Sequence, residues 1–392
     1  MEYINVADTA EKWGVTIRQV QRLLSNNRIP QARKFGRSWM IPADEKKPGD
    51  SRREKFDSSE KSLLANLADI AAATSSPMPS DDPDSIIEIV GEKRFYLQYE
   101  SEIAYLRGDF EATKLCYKNI ENDDASKLRI SSIAIAAAIS TGDYLFYLEI
   151  EAFLKSIIKS ENKKISIFAE LMLSTAYTGA FAHNMIPDWL KSGDFTNVLP
   201  KAITDAVYKR AKYFQLMGQY DSLLATAETA LEFCSDKSGI TLHGIYFQVL
   251  RVIALYSLSR ITEAKYWLSD ALAKTLPHGF ITPFIESATA LGGLLEQLIE
   301  QEYPEYYDIA INQWKSTFAN WIIFHNRFAK NNITLILSLR EYEIALLVAK
   351  RTPFKKIAEL HHISVSRLKA IVDIIYGKLF VNKRDELVKF IL

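Results

Sequence analysis

The chain has 392 residues, a net charge of zero, 48% apolar and 11% aromatic residues, and only 15 glycines and 12 prolines. Such content builds a helix-rich protein of two to four folded domains and excludes a disordered or collagen-like chain. The zero charge conceals a partition: residues 1–56 carry 12 Lys/Arg against 7 Asp/Glu, residues 331–392 carry 11 against 6, and the middle carries 25 against 35. Two cationic ends are the electrostatic footprint of phosphate binding, and an acidic middle keeps the rest of the molecule off the same polyanion.

The purest apolar run, around Ile133–Ile139, falls far short of the roughly 20 residues of a membrane span. The opening MEYINVADTAEKW has neither the basic nor the apolar part of an export signal. Cys116 and Cys234 stand far apart in apolar helical patterns. These features predict a soluble cytoplasmic protein without disulfides.

Residues 1–50 form the first expected domain. Val6, Ala7, Ala10 and Trp13 make one apolar stripe of a short helix that Gly14 ends. Thr16 and Gln19 then form a capping box, opening a helix whose buried face is Ile17, Val20, Leu23 and Leu24. That leaves Arg18, Gln19, Gln21 and Arg22 outside, side-chain types that reach phosphates and base edges. Ala32–Pro42 reads as a β-hairpin turning at Gly36, with Arg33, Lys34 and Arg37 at its tip. This order resembles the winged helix-turn-helix of excisionases and MerR-type regulators. Its carriers are Tyr3-Ile4, Ala7 to Ala10, Gly14-Val15, Val20, Leu23, Arg28-Ile29-Pro30, Gly36 to Trp39 and Ile41-Pro42. The resemblance implies DNA contacts from Thr16, Arg18, Gln19 and Arg22 in the major groove, and from Arg33, Lys34 and Arg37 on the backbone.

Residues 51–85 are rich in Ser, Asp and Pro and read as a linker with one short helix at Glu60–Ala73. From 86 to 330 the chain reads as helix after helix. Gly108-Asp109-Phe110 is echoed by Gly142-Asp143-Tyr144, 34 residues on, and by Gly218-Gln219-Tyr220; aligning Arg260 with Gly218 gives a spacing of 42. The period is that of tetratricopeptide repeats, so the middle is expected to be a helical solenoid whose concave face takes a peptide, a protein or a small molecule, or which dimerises. The aromatic stretch Tyr303–Trp321 reads as core in preference to a pocket wall.

In residues 331–392, Ser338 is read as capping a helix to about Lys350, Pro353 as opening a second that ends near His361, and Ser364 as capping a third. The third helix has an apolar seam at Val365, Leu368, Val372, Ile375 and Leu379, with Ser366, Arg367, Lys369, Ala370 and Asp373 turned away. A last helix runs from Arg384 to Leu392. With Leu337-Ser338-x-Arg340-Glu341, Ile344, Leu347, Ile357-Ala358, Ile363-Ser364, Leu368-Lys369, Val372, Ile375-Tyr376 and Val381, the order resembles the four-helix DNA-binding domain of LuxR-type regulators. The resemblance implies that Ser366, Arg367, Lys369 and Ala370 face the major groove and that Lys355 and Lys356 approach the backbone. Arg351 and Phe380 stand where that family has Gly, His361 where it has a core Leu, Arg367 where it has Thr, and Ile371 where it has His.

Repeats followed by such a head resemble the C-terminal half of MalT-like regulators. No G-x-x-x-x-G-K-[ST] is present, so ATP dependence does not follow. Neither a metal-ligand cluster nor a catalytic motif is seen, and no cofactor, metal or enzymatic activity is expected. The mainly all-α fold thus reads as a transcriptional regulator whose partners are duplex DNA, a second copy of the chain and a ligand on the helical middle. The alternative is a protein-interaction scaffold with vestigial or masked heads.

Overall fold

The computed structural model describes residues 2–36, 38–48, 60–67, 93–236, 239–291, 293–329, 337, 339–349, 351–379 and 381–391. Of the residues singled out above, Arg37, Ala73, Ser338, Lys350, Phe380 and Leu392 lie outside it, as does the expected linker 51–85 apart from residues 60–67. The described residues are 74% helix and 4% strand, and contacts divide the chain into Met1–Ser62 and Leu63–Leu392.

In the first unit, α1 (Val6–Lys12) and α2 (Ile17–Ser25) pack on each other beside strands β1 (Tyr3–Asn5), β2 (Arg33–Phe35) and β3 (Ser38–Pro42). The hairpin β2–β3 turns at Gly36, which has φ +59°, as its sequence predicts. β1 was not foreseen. It pairs antiparallel with β3, with Ile4 opposite Ile41, and puts β3 in the middle of a three-stranded sheet. Asn5 ends β1 and caps α1, accepting from the N–H groups of Ala7 and Asp8 at 2.8 and 2.9 Å. Ala10, Val20, Leu24, Ile29 and Ile41 form the core, with Trp13 against them. Ala7, assigned to the buried stripe, is exposed, and Thr9 is buried instead.

The second unit is a succession of packed helices. Residues 60–67 are helical, and Leu67 is buried in the first of its cores. There follow α3 (Lys93–Leu106), α4 (Phe110–Lys118), α5 (Asp124–Thr141), α6 (Tyr144–Ile158) and α7 (Lys163–Gly179). After the short α8 (Asp188–Ser192) come α9 (Ile203–Leu216), α10 (Tyr220–Phe233), α11 (Leu242–Ser257) and α12 (Ile261–Thr275). A two-stranded ribbon, β4 (Ser235–Asp236) with β5 (Gly239–Ile240), joins α10 to α11. The short α13 (Thr282–Ile285) and α14 (Leu294–Glu302) lead into the long α15 (Tyr307–Ala329). Four more helices close the chain: α16 (Leu339–Ala349), α17 (Phe354–Leu360), α18 (Val365–Leu379) and α19 (Arg384–Ile391).

One turn closes each of the four helix ends aligned from sequence. Gly108, Gly142 and Gly218 have φ of +81°, +71° and +67°, and each ends a helix in the left-handed conformation that glycine adopts without penalty. In each, the next N–H reaches back to a carbonyl five residues earlier: Asp109 to Ala104, Asp143 to Ala138 and Gln219 to Phe214, all at 2.9 Å. The fourth turn corrects the alignment made from sequence. Ser259, not Arg260, takes the glycine's place, with φ +63°, while the Arg260 N–H donates to the Leu255 carbonyl at 2.9 Å. Asp109 and Asp143 then cap α4 and α6 by accepting from Ala112 and Phe146.

Two of these glycines also clear space for α15. A Cβ on Gly108 would lie 2.9 Å from the Gln313 side chain, and one on Gly142 would lie 2.9 Å from that of Asn320. Gln313 and Asn320 are two helical turns apart, so one face of α15 crosses both turns. Asn320 Nδ2 donates to the Ser140 carbonyl at 2.8 Å.

Ser259→Gly is expected to stabilise the protein by about 0.5–1 kcal/mol, because a left-handed serine is relieved. Gly142→Ala should destabilise it by about 1–3 kcal/mol, from the same conformational penalty plus displacement of Asn320. Urea denaturation of the two variants beside the parent checks the opposite signs.

Candidate nucleic-acid interfaces and an internal cavity

Thr16 and Gln19 form the capping box of α2: the Gln19 side-chain oxygen accepts the Thr16 N–H at 2.9 Å, and Thr16 Oγ1 accepts the Gln19 N–H at 3.3 Å. Gln19 therefore keeps only its amide donors for any partner. Val20 and Leu24 are buried and Leu23 half-buried, which turns Arg18 and Arg22 to solvent on the opposite face. Arg33 and Lys34 are exposed on β2, with Lys34 Nζ 6.0 Å from the centre of the Trp39 ring. Arg18, Arg22 and Arg33 make no ion pair among the described residues.

The last four helices close around Ile344, Val348, Ile357, Leu368, Val372, Ile375 and Leu387. Ser364 caps α18 by accepting the Arg367 N–H at 3.2 Å. Ser366, Arg367, Lys369, Ala370 and Asp373 are all exposed along one face of α18, Lys355 is exposed on α17 and Lys356 half-buried. Arg367, Lys369 and Lys355 form no ion pair among the described residues. Other cations of this region do, as in Arg351–Asp385 at 3.0 Å and Lys378–Glu341 at 2.7 Å. Arg351 has φ +61°, so its backbone takes the conformation that a glycine would hold without strain.

Ile17 and Val365, both assigned to buried seams, are 49% and 38% exposed. Each is the first residue of its helix. A helical side chain leans toward the N-terminus, so at that position it points past the end of the helix and away from the core.

The C-terminal helices dock on the rest of their unit through α16 and α17. Leu360 is buried in the same core as α10–α14. The Tyr256 hydroxyl, itself buried, donates to the Leu360 carbonyl and lies 3.2 Å from His362 Nε2. His325 Nδ1 lies 2.9 Å from the Ala180 carbonyl and must donate to it, leaving Nε2 to accept from the Tyr342 hydroxyl at 3.3 Å. Arg340 donates to the His361 carbonyl at 2.9 Å. His361 is 9% exposed at the end of α17.

Beside this junction lies a cavity of about 380 Å³. One face each of α5, α9, α11 and α15 lines it, at helical spacing: Arg129, Ser132 and Ala136; Asp205, Tyr208, Lys209 and Lys212; Tyr246 and Tyr256; Trp314, Phe318 and Trp321. Tyr342, Leu346, Leu347, Leu360 and His361 bring α16 and α17 into the same wall. The aromatic stretch that reads as core therefore also builds a cavity wall. Trp314, Phe318, Trp321 and His325 stack in series along α15, with ring centres 4.8–6.3 Å apart.

The polar lining is unevenly satisfied. Lys209 Nζ donates to both Asp205 oxygens at 2.6 Å and to Ser132 Oγ at 3.2 Å. Glu286 accepts from the Tyr105 hydroxyl, with Lys212 nearby. Burial lowers Lys212 against the pull of Glu286. The three guanidinium nitrogens of Arg129, Gln98 Oε1, Gln215 Oε1 and Trp314 Nε1 have no hydrogen-bond partner among the described residues, and all four residues line the cavity. Sequence reading passed over this face. The signal was there, in polar residues at spacings of three and four among the apolar positions of α5 and α9.

No family model, curated protein or solved structure matches this chain. No described helix is long and apolar enough to cross a membrane.

Burial, with Arg340 and His362 nearby, pushes the His361 imidazole from its ordinary 6.5 down to about 4. Folded His361 then refuses a proton that the unfolded chain accepts, so stability falls as pH drops from about 6.5 toward about 4. His361→Leu should flatten that fall by about 2 kcal/mol, read from urea midpoints at neutral and mildly acid pH.

Proposed function

We propose that this protein is a DNA-binding transcriptional regulator. In this reading the first unit is a winged helix-turn-helix, the last four helices are a LuxR-type head, and the tetratricopeptide-like helices between them are a sensing body. The observation that carries the reading is the pair of exposed cationic helix faces without ion pairs among the described residues, Arg18 and Arg22 on α2 and Arg367 and Lys369 on α18. An Arg held outward without an internal carboxylate keeps its full donor fork for phosphate or for guanine. The same two faces lie on helices whose first turns are capped and whose opposite sides are buried, which is the arrangement needed to present a rigid edge to a groove.

Arg33 and Lys34 on the hairpin, and Lys355 and Lys356 ahead of α18, are assigned to the phosphate backbone. Each head alone covers too little duplex for tight binding, so two heads in one chain, or two chains, act through effective concentration. The docking of α17 on the body favours a second reading, a scaffold with a masked C-terminal head. The exposed outer face of α18 favours the regulator.

The test is fluorescence anisotropy of the full chain on duplex DNA across a salt series. Arg18→Ala with Arg22→Ala, and separately Arg367→Ala with Lys369→Ala, should each weaken binding about tenfold or more and make the log–log salt slope shallower by about 1–2. A slope unchanged by both pairs of substitutions would overturn the reading.

A further inference from the structure

Arg129 stands in the middle of α5, 6% exposed, in the wall of the cavity. A guanidinium carries five N–H donors and no acceptor, and here none of its nitrogens meets an acceptor among the described residues. Its two nearby carboxylates are committed elsewhere. Asp205 receives Lys209 on both oxygens, and Glu102 accepts from Gln98 Nε2 at 2.9 Å. They supply field without hydrogen bonds.

A buried charge in this condition is strongly unfavourable, and a chain seeking stability alone would place an apolar residue there. The cavity is of a size that takes small organic molecules. Beyond the polar cluster of Arg129, Ser132 and Lys209 its wall is mostly aromatic and aliphatic, including Tyr208, Phe318 and Trp314.

We infer that the cavity binds a small organic anion, its carboxylate or phosphate head on Arg129 and its apolar body against the aromatic wall. A planar, two-oxygen face accepts the guanidinium fork in two parallel hydrogen bonds, satisfying donors that the protein leaves unmet. Since α16 and α17 form part of the wall, occupancy bears on the contacts that hold them, Tyr256 with Leu360 and Tyr342 with His325. The anion is therefore sensed by the last four helices. This deepens the regulator reading by naming the ligand's chemistry, but the site itself does not depend on DNA binding.

The experiment uses the full chain without DNA. Titration calorimetry and thermal melting are run with hexanoate, 3-phenylpropionate, phenyl phosphate and glucose 6-phosphate at millimolar concentration, and with hexanamide and 3-phenylpropionamide as uncharged matches. At least one anion is expected to bind and raise the melting temperature while its uncharged match does not; the carboxylate and phosphate arms decide which head group is preferred. Arg129→Met should lower the affinity at least about tenfold while leaving the unliganded protein as stable as the parent or more so. Hydrogen exchange at residues 354–362 should slow when the anion is bound to the parent and not in the variant. Failure of all four anions to bind overturns the proposal, as does equal binding by Arg129→Met, equal binding of an amide, or exchange at 354–362 indifferent to the bound anion. Because no DNA is present, these failures leave the DNA-binding reading standing, and a chain that ignores DNA leaves this proposal standing.

Discussion

The packing of α15 across the body is the constraint on which the second unit depends. Gln313 and Asn320 lie over the left-handed turns at Gly108 and Gly142, where any side chain would collide with them. Two turns apart on one helix, they lock its register against α3 to α6. With that register set, the neighbouring stripe of the same helix presents Trp314, Phe318 and Trp321 to the cavity, and Trp321 Nε1 donates to the Gly179 carbonyl at 2.8 Å. One turn further on, His325 joins the Ala180 carbonyl to Tyr342 of α16. A single helix thus ties the repeated turns, the cavity wall and the last four helices together.

The interior is unusual in how its polar groups are distributed. Some are satisfied, as Lys209 is by Asp205 and Ser132, and the turn carbonyls by the N–H groups that follow them. Of the eight described residues with an unmet buried side-chain group, four, Arg129 among them, line the cavity. Folded proteins rarely tolerate such groups without a role, because each costs roughly 1–3 kcal/mol when desolvated without a partner, and a charge costs more. The four that line the cavity put a local loss of stability beside the junction with α16 and α17.

The terminal helices follow a different electrostatic rule from the body. Several exposed cations of the body sit one turn from an acid, as in Lys155–Glu151 at 3.0 Å and Lys274–Asp270 at 2.7 Å. Such pairs neutralise a helix face. The outer faces of α2 and α18 hold arginines with no such neighbour, so their field is available to a partner. Within the last four helices the pairs Arg351–Asp385 and Lys378–Glu341 are contacts between elements and Lys383–Glu386 lies at the start of α19, none of them on the outer face of α18.

What the sequence determined alone is what a few neighbouring residues, or the spacing within one helix, can encode. The Thr16–Gln19 capping box, the turn at Gly36, the Ser364 cap, the seam Leu368–Val372–Ile375–Leu379 and the glycine turns at 108, 142 and 218 are all where local chemistry puts them. Even there, the place of Ser259 was misread by one residue, because serine carries no signature of a left-handed turn. Only the tertiary structure decided that β1 joins the N-terminal sheet and that Leu360 enters a core made by α10–α14. It alone gathered residues from Gln98 to His361 around one cavity. Periodicity tells which face of a helix is apolar, not which other face it will meet. A cavity is the space left where several such faces do not close on one another, so the polar stripes of α5 and α9 are legible in the sequence but the space they enclose is not.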